Sequence, residues 1–399
     1  MRILFVSRWF PYPPDNGSRI RVFHLLQGLS RLHEIHLISF AEEMPGKECL
    51  DVMQHMCHGV DVVRYEGFDP MGWRALAGFF STYPRSVVAT FNRDMANRVQ
   101  EVMRGETFDL ILASELGSAP YVARVEGIPK VLEDVELGLF WEQFLRQTRF
   151  LPRMRYGLTW WKTCRYVRRL LGAFRGCTVV SEQDRLLLKK VCQGRQQIAL
   201  VSNGVDLTQS EEVDKEENTL IFPGALTYDS NLDAMRFFLS RIYPLIQYQV
   251  PDVSLRITGR TEGVDTSRLA VGPGVVFTGY VDEIRSWVTK SMVCVVPLRK
   301  GSGTRLKVLE AMACGTAVVS TNKGAEGLHV EDKEHLLIED DPESFAAAVV
   351  RLLRDPSLRQ RMAGQARGLV EKEYVWKKSV KVLNELLISC VAQGEGEAS

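Results

Sequence analysis

The chain has 399 residues, with 50 Lys and Arg against 49 Asp and Glu, and 45% of its residues are hydrophobic. A chain of this length exceeds what a single hydrophobic core usually serves, so two domains are expected. The near balance of charge excludes a dedicated nucleic-acid binder, which carries a large positive excess, and we expect no nucleic-acid partner.

The compartment is indicated by the cysteines and by the apolar runs. The eight cysteines form no C-x-x-C pair and lie mostly among apolar neighbours, as free thiols of a reducing compartment do. The apolar run Met1–Val6 is too short for a signal peptide, and no stretch approaches the roughly 20 apolar residues of a membrane span. The sequence therefore predicts a cytoplasmic protein.

Short β-branched runs alternate with amphipathic segments, which is typical of parallel sheets covered by helices. In the first half the pattern predicts strands at Arg2–Ser7, Glu34–Phe40, Val60–Arg64, Asp109–Ser114, Lys130–Glu133, Cys177–Val180 and Ile198–Val201. In the second half it predicts strands at Thr219–Phe222, Ser254–Thr258, Val275–Thr278, Val293–Val296, Ala317–Ser320 and His335–Ile338.

The charged stretch 209–218 has no apolar face and is predicted as a linker between domains 1–208 and 219–373. Two such α/β domains are expected to bind ligands at the carboxyl ends of their strands, in a cleft between the sheets. The turn after the first strand, RWFPYPPDNGSR, lacks G-x-G-x-x-G, and the chain has no G-x-x-x-x-G-K-[ST]. A dinucleotide enzyme and a P-loop nucleotidase are therefore not expected.

The segment 297–315, PLRKGSGTRLKVLEAMACG, predicts a glycine loop between a strand and a helix. Gly301 and Gly303 would let backbone amides approach a ligand, and a helix starting near Thr304 would present unpaired N–H groups, as a diphosphate requires. Arg305 and Lys307 are predicted in the first turn of that helix, where cations are unfavourable unless an anion offsets them.

Lys307 and Glu310 are three residues apart and are predicted to share a helix face. The carboxylate would then lie one turn below the phosphate cations, where the ribose hydroxyls of a nucleotide fall. The alternative is a plain surface ion pair between the two side chains, worth a few tenths of a kcal/mol.

This segment resembles family 4 of the retaining glycosyltransferases with the GT-B fold, in the branch that reads P-x-x-x-G-x-G-T-R-L-K-x-L-E-A-M-A. The likeness extends to PPDNGSRIR after the first strand, VVSEQD at 179–184, NGVD at 203–206, FPGALTYDSN at 222–231 and FTGYVDEI at 277–284. It implies two Rossmann-like parallel-sheet domains facing a central cleft. The first would bind the acceptor and the second a nucleotide-sugar donor, and a last helix at 374–390 would pack back onto the first domain.

The resemblance also assigns site residues. Donor contacts are implied for Gly17, Gly224, Gly279, Tyr280, Gly301, Ser302, Gly303 and Thr304. The family commonly pairs two Glu residues, of which Glu310 matches the second, whereas Ser302 stands at the first, so the sugar contact would come from the loop backbone. Contacts to acceptor or sugar hydroxyls are implied for Asn16, Asp134 and Glu136. The alternatives are a helix cap at Asn16 or Ser18 and an ordinary polar strand end at 133–136.

No acidic residue occurs between Glu142 and Glu182, although 146–175 is rich in Arg. A helical stripe of Trp160, Cys164, Val167, Leu171 and Phe174 is predicted opposite a basic face of Lys162, Arg165 and Arg169. Such a helix suits an anionic membrane surface, which would place the protein on the inner face of the plasma membrane. The alternative is a stripe packed on the core with its basic face in water.

His55 and His58 have a spacing open to metal binding, but no Asp-x-Asp clamp follows a strand, and we expect neither metal nor cofactor. The expected function is metal-independent sugar transfer with retention from a nucleotide-diphosphate sugar to a hydroxyl acceptor, lipid-linked acceptors included, in bacterial polysaccharide or glycolipid assembly. Arg305 and Lys307 would stabilise the leaving diphosphate during same-face attack. The alternatives are a nucleotide-sugar 2-epimerase of the same fold and a non-catalytic scaffold subunit.

Overall fold

The computed structural model describes residues 1–192, 196–207, 214–269, 272, 274–301 and 303–397. The chain forms two compact units, one of Met1–Ser202 together with the chain from Trp376 onward, and one of Asn203–Val375. Each unit is an α/β domain with its own hydrophobic core.

The first unit is built on a parallel sheet with helices on both faces. Among its described residues the strands are β1 (Arg2–Ser7), β2 (Glu34–Ala41), β3 (Gly59–Arg64), β4 (Leu110–Ser114), β5 (Lys130–Glu133), β6 (Gly176–Val179) and β7 (Gln197–Leu200). Their spatial order is β3-β2-β1-β4-β5-β6-β7, and every pairing is parallel. The order reverses between β1 and β4, where crossovers leave in opposite directions and ligands of such sheets usually bind.

The helices of this unit connect the strands. They are α1 (Gly17–Ser30), α2 (Lys47–Gln54), α3 (Trp73–Ala77), α4 (Arg85–Thr90), α5 (Arg93–Gly105), α6 (Glu115–Val122), α7 (Gly138–Leu145), α8 (Phe150–Leu171) and α9 (Glu182–Cys192).

The second unit repeats this design. In the part of it that the structure describes, the strands are β8 (Thr219–Pro223), β9 (Ser254–Thr258), β10 (Val275–Gly279), β11 (Val293–Val296), β12 (Ala317–Ser320) and β13 (Leu337–Ile338). They lie in the order β10-β9-β8-β11-β12-β13, all parallel, and the reversal falls between β8 and β11. Strands β8, β11 and β12 are buried throughout, as strands covered on both faces must be.

The helices of the second unit are α10 (Asp229–Phe237), a π-helical turn (Phe238–Ile242), α11 (Tyr243–Gln249), a 3₁₀ turn (Thr266–Arg268), α12 (Ile284–Lys290), α13 (Leu306–Ala313), α14 (Asn322–Ala325), α15 (Pro342–Arg354) and α16 (Pro356–Glu373). Asp341 and Asp355 cap the starts of α15 and α16 by accepting backbone N–H hydrogen bonds, which replace partners that a helix start lacks.

The last helix, α17 (Trp376–Glu397), belongs to the first unit. Its buried face, with Leu383 and Leu387, shares a core with Leu25 and Leu26 of α1. Trp376 stacks on the His24 ring with centroids 4.8 Å apart.

Each predicted strand coincides with an observed strand to within two residues at either end. The change of unit comes at Asn203, ahead of the predicted linker 209–218, because Val205 pairs with Val375 inside the second unit. Part of that linker lies outside the described residues. In the rest of it, the Lys215 ammonium donates to the carbonyls of Thr289 and Ser291, at 2.9 and 3.0 Å, so this end is attached to the second unit.

Candidate active site

The glycine loop follows β11 and leads into α13. Gly301 and Gly303 both have positive φ, 109° and 80°, a conformation that side chains with a Cβ rarely adopt. The helix begins at Leu306, two residues after the predicted start near Thr304, and the prediction that Arg305 lies in its first turn is wrong. Arg305 is the N-cap residue, with φ −82° and ψ 69°.

Side-chain contacts account for this position of Arg305. The residue is 7% exposed, and its guanidinium donates to the Gly301 carbonyl at 2.6 Å and to the Lys323 carbonyl at 3.2 Å. It also lies 3.4 Å from the Glu326 carboxylate. These contacts hold Arg305 outside the helix and fix the shape of the glycine loop.

Lys307 lies in the first turn of α13, as predicted. Its ammonium donates to Asn231 Oδ1 at 2.7 Å and lies 4.2 Å from the centroid of the Phe222 ring. Burial is the main reason that the pKa of Lys307 is lowered to about 7, with a smaller contribution from Arg305, while Cys294 and Glu310 oppose the shift. A lysine with a pKa near 7 is only partly protonated at neutral pH, and it becomes fully charged when an anion binds beside it.

Gly224 follows β8 and lies against this lysine. A Cβ at Gly224 would be 2.7 Å from Lys307 Nζ and 2.9 Å from Asn231 Nδ2. The absence of a side chain at this position is therefore what gives the lysine and the amide their room. Asn231, which the sequence did not single out as a site residue, follows the same strand on α10 and holds the Lys307 ammonium.

Glu310 is partly buried one turn further along α13. Burial raises its pKa, while Arg285 and Lys307 lower it. Among the described residues, no ion pair joins it to Lys307, so the alternative of a plain surface ion pair is wrong.

The other predicted donor residues lie at the same edge of this sheet or beside the loop. Gly279 ends β10 with φ 69°, and Tyr280 follows it, half exposed with the Arg260 guanidinium 5.6 Å from its ring centroid. The Thr304 hydroxyl is buried and has no hydrogen-bond partner in the described part of the chain. Ser302 lies outside the described residues.

Gly224 and Gly301 follow β8 and β11, the two strands between which the order of the second sheet reverses. The structure thus brings Lys307, Asn231 and the glycine loop together where an α/β sheet usually binds its ligand. Backbone amides freed by glycines and a lysine of lowered pKa form a site suited to an anion.

Asn16 and Gly17 lie in the first unit, at the start of α1. Asn16 is the N-cap residue, and its side chain accepts a hydrogen bond from the Arg19 backbone N–H at 3.1 Å. The Asn16 Oδ1 atom therefore caps the helix, as the alternative interpretation predicted. Gly17 is the first residue of the helix.

A buried charge cluster lies behind the carboxyl ends of β4 and β5. Arg21 and Glu133 are almost fully buried and form an ion pair, with Arg21 Nε donating to Glu133 Oε1 at 2.7 Å. The Ser114 hydroxyl donates to the other carboxylate oxygen at 2.8 Å. Such a pair stabilises the fold only while both partners are present.

Asp134 follows Glu133 and has a positive φ of 58°, which is rare for a residue with a side chain. Its Oδ1 atom is buried and has no hydrogen-bond partner among the residues described. Burial raises the pKa of Asp134 well above its ordinary value, although Arg21 opposes this, and Glu136 is close enough to contribute. Backbone strain and a strongly raised pKa of this kind are frequent at functional sites.

Helix α8 carries the predicted basic stretch. Its predicted apolar stripe packs on the core, with Val167 and Leu171 fully buried, while Arg165 and Arg169 are exposed. The prediction that Lys162 shares this basic face is wrong. Its ammonium is buried and donates to the carbonyls of Gly78 and Phe79, at 3.4 and 2.9 Å, in the turn that follows α3.

No helix in the described parts of the chain is long and apolar enough to cross a membrane.

Two sequence relatives bear on the family. A protein of Klebsiella pneumoniae, named an uncharacterized 44.6 kDa protein in the cps region, is 20% identical over 395 residues, 94% of this chain and 97% of its own length. The phosphatidyl-myo-inositol mannosyltransferase of Mycolicibacterium smegmatis is 29% identical over 188 residues, 44% of this chain and 48% of that protein.

Solved structures show the same fold. Sucrose-phosphate synthase from Thermosynechococcus elongatus matches with a TM-score of 0.70 at 17% identity, over 98% of this chain and 100% of that one. HepE from Anabaena in complex with UDP and glucose matches with a TM-score of 0.65 at 14% identity, over 98% of this chain and 100% of that one.

Two Rossmann-like parallel-sheet units with these structural neighbours define the GT-B fold. The family model described as "Glycosyl transferases group 1" matches residues 217–355, the part that carries the glycine loop and Lys307. The chain is a glycosyltransferase with the GT-B fold, and its second unit matches group 1 of these enzymes.

Proposed function

We propose that the protein moves a sugar from a nucleotide-diphosphate donor to a hydroxyl acceptor, without a metal ion and with retention of anomeric configuration. The observation that carries this proposal is the meeting of Lys307, Gly224 and the Gly301–Thr304 loop at the reversal point of the second sheet. HepE, a neighbour in fold, binds UDP and glucose, which supports a nucleotide sugar as the donor.

The diphosphate would be bound by the loop amides, the Thr304 hydroxyl and the Lys307 ammonium. When the bond to the sugar breaks, negative charge grows on the departing β-phosphate, and preorganised donors lower the barrier. Lys307 takes up a proton when the diphosphate binds, and its positive charge then lies next to the phosphate as the bond breaks. Arg305 adds positive charge nearby and keeps the loop in shape through the Gly301 carbonyl. These cations take the part that a metal ion has in other transferases.

The ribose is assigned to Glu310, one helical turn from Lys307 on the same face. A carboxylate accepts hydrogen bonds from two vicinal hydroxyls, and the nearby positive charge of Arg285 keeps it available for this. Gly279 and Tyr280, at the end of β10, would contact the donor on the other side. Gly17, Asn16, Asp134 and Glu136 are retained as proposed contacts to donor, sugar or acceptor.

Retention follows from same-face attack. The acceptor oxygen bonds to the anomeric carbon as the bond to the diphosphate breaks, and the hydroxyl proton passes to an oxygen of the departing β-phosphate. The nucleoside diphosphate and the glycoside are the products.

The test uses the purified full chain with a panel of nucleotide sugars. A donor that binds only the folded state raises the unfolding temperature. With the best donor and an acceptor panel, NMR of the product should show the donor's anomeric configuration, and EDTA should leave the rate unchanged. Conversion of the donor to its epimer in the absence of acceptor would instead identify an epimerase. Binding without hydrolysis, transfer or epimerisation would identify a scaffold subunit.

The setting is proposed to be polysaccharide or glycolipid assembly. One relative is named for its place in a cps region, and another is named as a phosphatidyl-myo-inositol mannosyltransferase, whose name describes a lipid acceptor. Acceptors for the panel are therefore best drawn from oligosaccharides and lipid-linked saccharides.

The protein is also proposed to bind an anionic membrane surface on its cytoplasmic side. Phe150 and Leu151 at the start of α8 are 74% and 77% exposed, and Phe80, after α3, is 96% exposed. The contact of Lys162 with Phe79 places the segment after α3 beside the middle of α8, and exposed Arg153 and Arg155 lie on α8 as well. Exposed apolar side chains among arginines suit the interface of an anionic bilayer.

Vesicle sedimentation tests this surface. The protein should bind vesicles of phosphatidylcholine with phosphatidylglycerol and not those of phosphatidylcholine alone. A Phe80→Ser, Phe150→Ser variant should lose most of this binding, whereas Tyr248→Ser, an exposed aromatic of the second unit, should not. Equal binding by the two variants would refute the assignment.

A further inference from the structure

A cavity of about 230 Å³ opens in the first unit beside the reversal point of its sheet. Arg8, after β1, and Glu115, after β4, are the charged residues that line it. The remaining lining is mostly aromatic or aliphatic and includes Tyr65, Phe91, Tyr121, Phe140 and Tyr166. An apolar cavity with a few polar groups at one end is the common form of a small-molecule site.

Glu115 has a positive φ of 64°, which costs a residue with a side chain of order 1 kcal/mol or more. Trp9 Nε1 donates to its Oε1 atom at 2.9 Å, and Ser18 also hydrogen-bonds to it. Burial raises the pKa of Glu115 to about 7, although these hydrogen bonds and the charge of Arg8 oppose the rise. A strained carboxyl that is partly protonated near neutral pH can donate as well as accept a hydrogen bond, and strain of this kind clusters at functional sites.

Arg8 packs against two aromatic rings. Its guanidinium carbon is 3.3 Å from the centroid of the Tyr65 ring and 4.3 Å from that of Trp9. Within the described residues it forms no hydrogen bond or ion pair, so the rings hold the planar group while its N–H donors remain available. A guanidinium in this state is suited to a phosphate or carboxylate.

The Tyr166 hydroxyl is an independent indication of a ligand. Tyr166 is 6% exposed, lines the cavity from α8, and its hydroxyl is buried with no hydrogen-bond partner in the described structure. A buried hydroxyl without a hydrogen-bond partner destabilises the folded protein unless a bound molecule supplies that partner.

We infer that this cavity binds the acceptor, and that the acceptor is an anionic amphiphile whose phosphate or carboxylate pairs with Arg8 while an adjoining apolar group lies among the aromatic walls. Glu115 and Tyr166 hydrogen-bond to its polar part. The inference rests on the proposed transferase function and adds the chemical class of the acceptor.

Titration calorimetry with octyl phosphate, below its micelle concentration, tests the inference. Octanol and inorganic phosphate are the matched probes that carry only one of the two features. Octyl phosphate should bind at least about tenfold more tightly than either, because each half alone forgoes the charge-assisted hydrogen bonds or the apolar burial. Equal binding of octanol would refute the anionic part, and equal binding of phosphate would refute the apolar part.

Variants assign the contacts. Arg8→Gln should weaken octyl phosphate binding about tenfold or more, whereas Arg124→Gln, an exposed arginine of the same unit outside the cavity lining, should leave it unchanged. Tyr166→Phe should weaken binding about five- to tenfold without lowering the unfolding temperature, because it removes a buried hydroxyl that has no partner in the free protein. Unchanged affinity in Tyr166→Phe, or in a folded Arg8→Gln, would overturn the assignment.

A parallel titration of the wild-type protein with the best nucleotide sugar separates the two levels of the argument. Donor binding without octyl phosphate binding would overturn the acceptor inference alone. A failure to bind or process any nucleotide sugar would overturn the proposed function, whatever the amphiphiles do.

Discussion

The lowered pKa of Lys307 predicts that donor binding takes up a proton. In the free protein this pKa is about 7, because burial disfavours the ammonium. The negative charge of a bound diphosphate stabilises the ammonium and should raise the pKa of Lys307 toward the ordinary value of about 10.4. Binding is then tighter where Lys307 is already protonated, that is below pH 7, and weakens as the pH rises.

The magnitude follows from linkage. With pKa values of about 7 in the free and about 10.4 in the bound state, the donor Kd should be about tenfold higher at pH 8 than at pH 6. Proton uptake per bound donor should be about 0.1 at pH 6, about 0.5 at pH 7 and about 0.9 at pH 8. The donor itself does not titrate in this range, because both phosphates of a nucleotide sugar are esterified and lack the phosphomonoester ionisation near pH 6.

Calorimetry in buffers of different ionisation enthalpy measures this uptake directly. Lys307→Met keeps an unbranched side chain and removes the titrating group, so its donor affinity should be lower and nearly independent of pH, with no uptake. Lys372→Met, an exposed lysine of α16, is the control and should behave as the wild type. Uptake that persists in Lys307→Met, or a wild-type Kd that is flat from pH 6 to pH 8, would refute the reasoning.

Three further predictions concern the donor site and the buried ion pair of the first unit. Gly224→Ala should remain folded but bind donor about tenfold more weakly in a titration, because its Cβ would displace Lys307 and Asn231, an overpacking cost of about 1–3 kcal/mol; unchanged affinity would contradict the packing argument. In steady-state kinetics Arg305→Ala should lower kcat by about 10²-fold or more, since it removes charge and frees the Gly301 carbonyl, whereas Glu310→Ala should mainly raise the donor KM; identical effects would contradict the separate roles. Arg21→Met should lower the urea-derived free energy of unfolding by about 3–5 kcal/mol by leaving Glu133 buried and unpaired, and Arg21→Met with Glu133→Gln should recover part of it.

The fold was predictable because its buried strands have a recognisable sequence pattern. Runs such as Ile3–Val6 and Val293–Val296 are buried on both faces and therefore read as continuous β-branched or aliphatic segments between turns. The glycine loop was predictable for a related reason, since Gly301 and Gly303 occupy positions where only a positive φ completes the turn.

What the sequence did not reveal depends on where long side chains reach. Arg305 was expected to point at an anion but donates to Gly301 and Lys323, and Lys162 was expected on a basic face but turns inward to cap carbonyls after α3. Helical periodicity gives the direction of a Cβ atom, whereas a long flexible stem can carry its charge elsewhere.

Contacts distant in sequence were equally hidden. Asn231 holds the Lys307 ammonium across 76 positions, and Trp9 donates to Glu115 across 106. No local pattern marks such partners. The only indication of these contacts was the position of the residues in the fold. In both pairs the two residues follow adjacent strands at a point where the sheet order reverses.

The backbone strain at Glu115 has either a functional or a structural reason, and the Glu115→Gly variant distinguishes the two. Glycine accepts the positive φ without penalty, a gain that roughly offsets its own cost in chain entropy, about 0.5–1 kcal/mol. If Glu115 serves the acceptor, the variant should unfold within about 1 kcal/mol of the wild type in urea and still bind the nucleotide sugar, yet lose transfer. If instead the hydrogen bonds from Trp9 and Ser18 make Glu115 a structural anchor, the free energy of unfolding of Glu115→Gly should fall by clearly more than about 1 kcal/mol. The Glu115→Gln variant should then recover the wild-type stability. A stable Glu115→Gly variant that transfers sugar at the wild-type rate would show that the strain has neither purpose, and would remove Glu115 from the acceptor site.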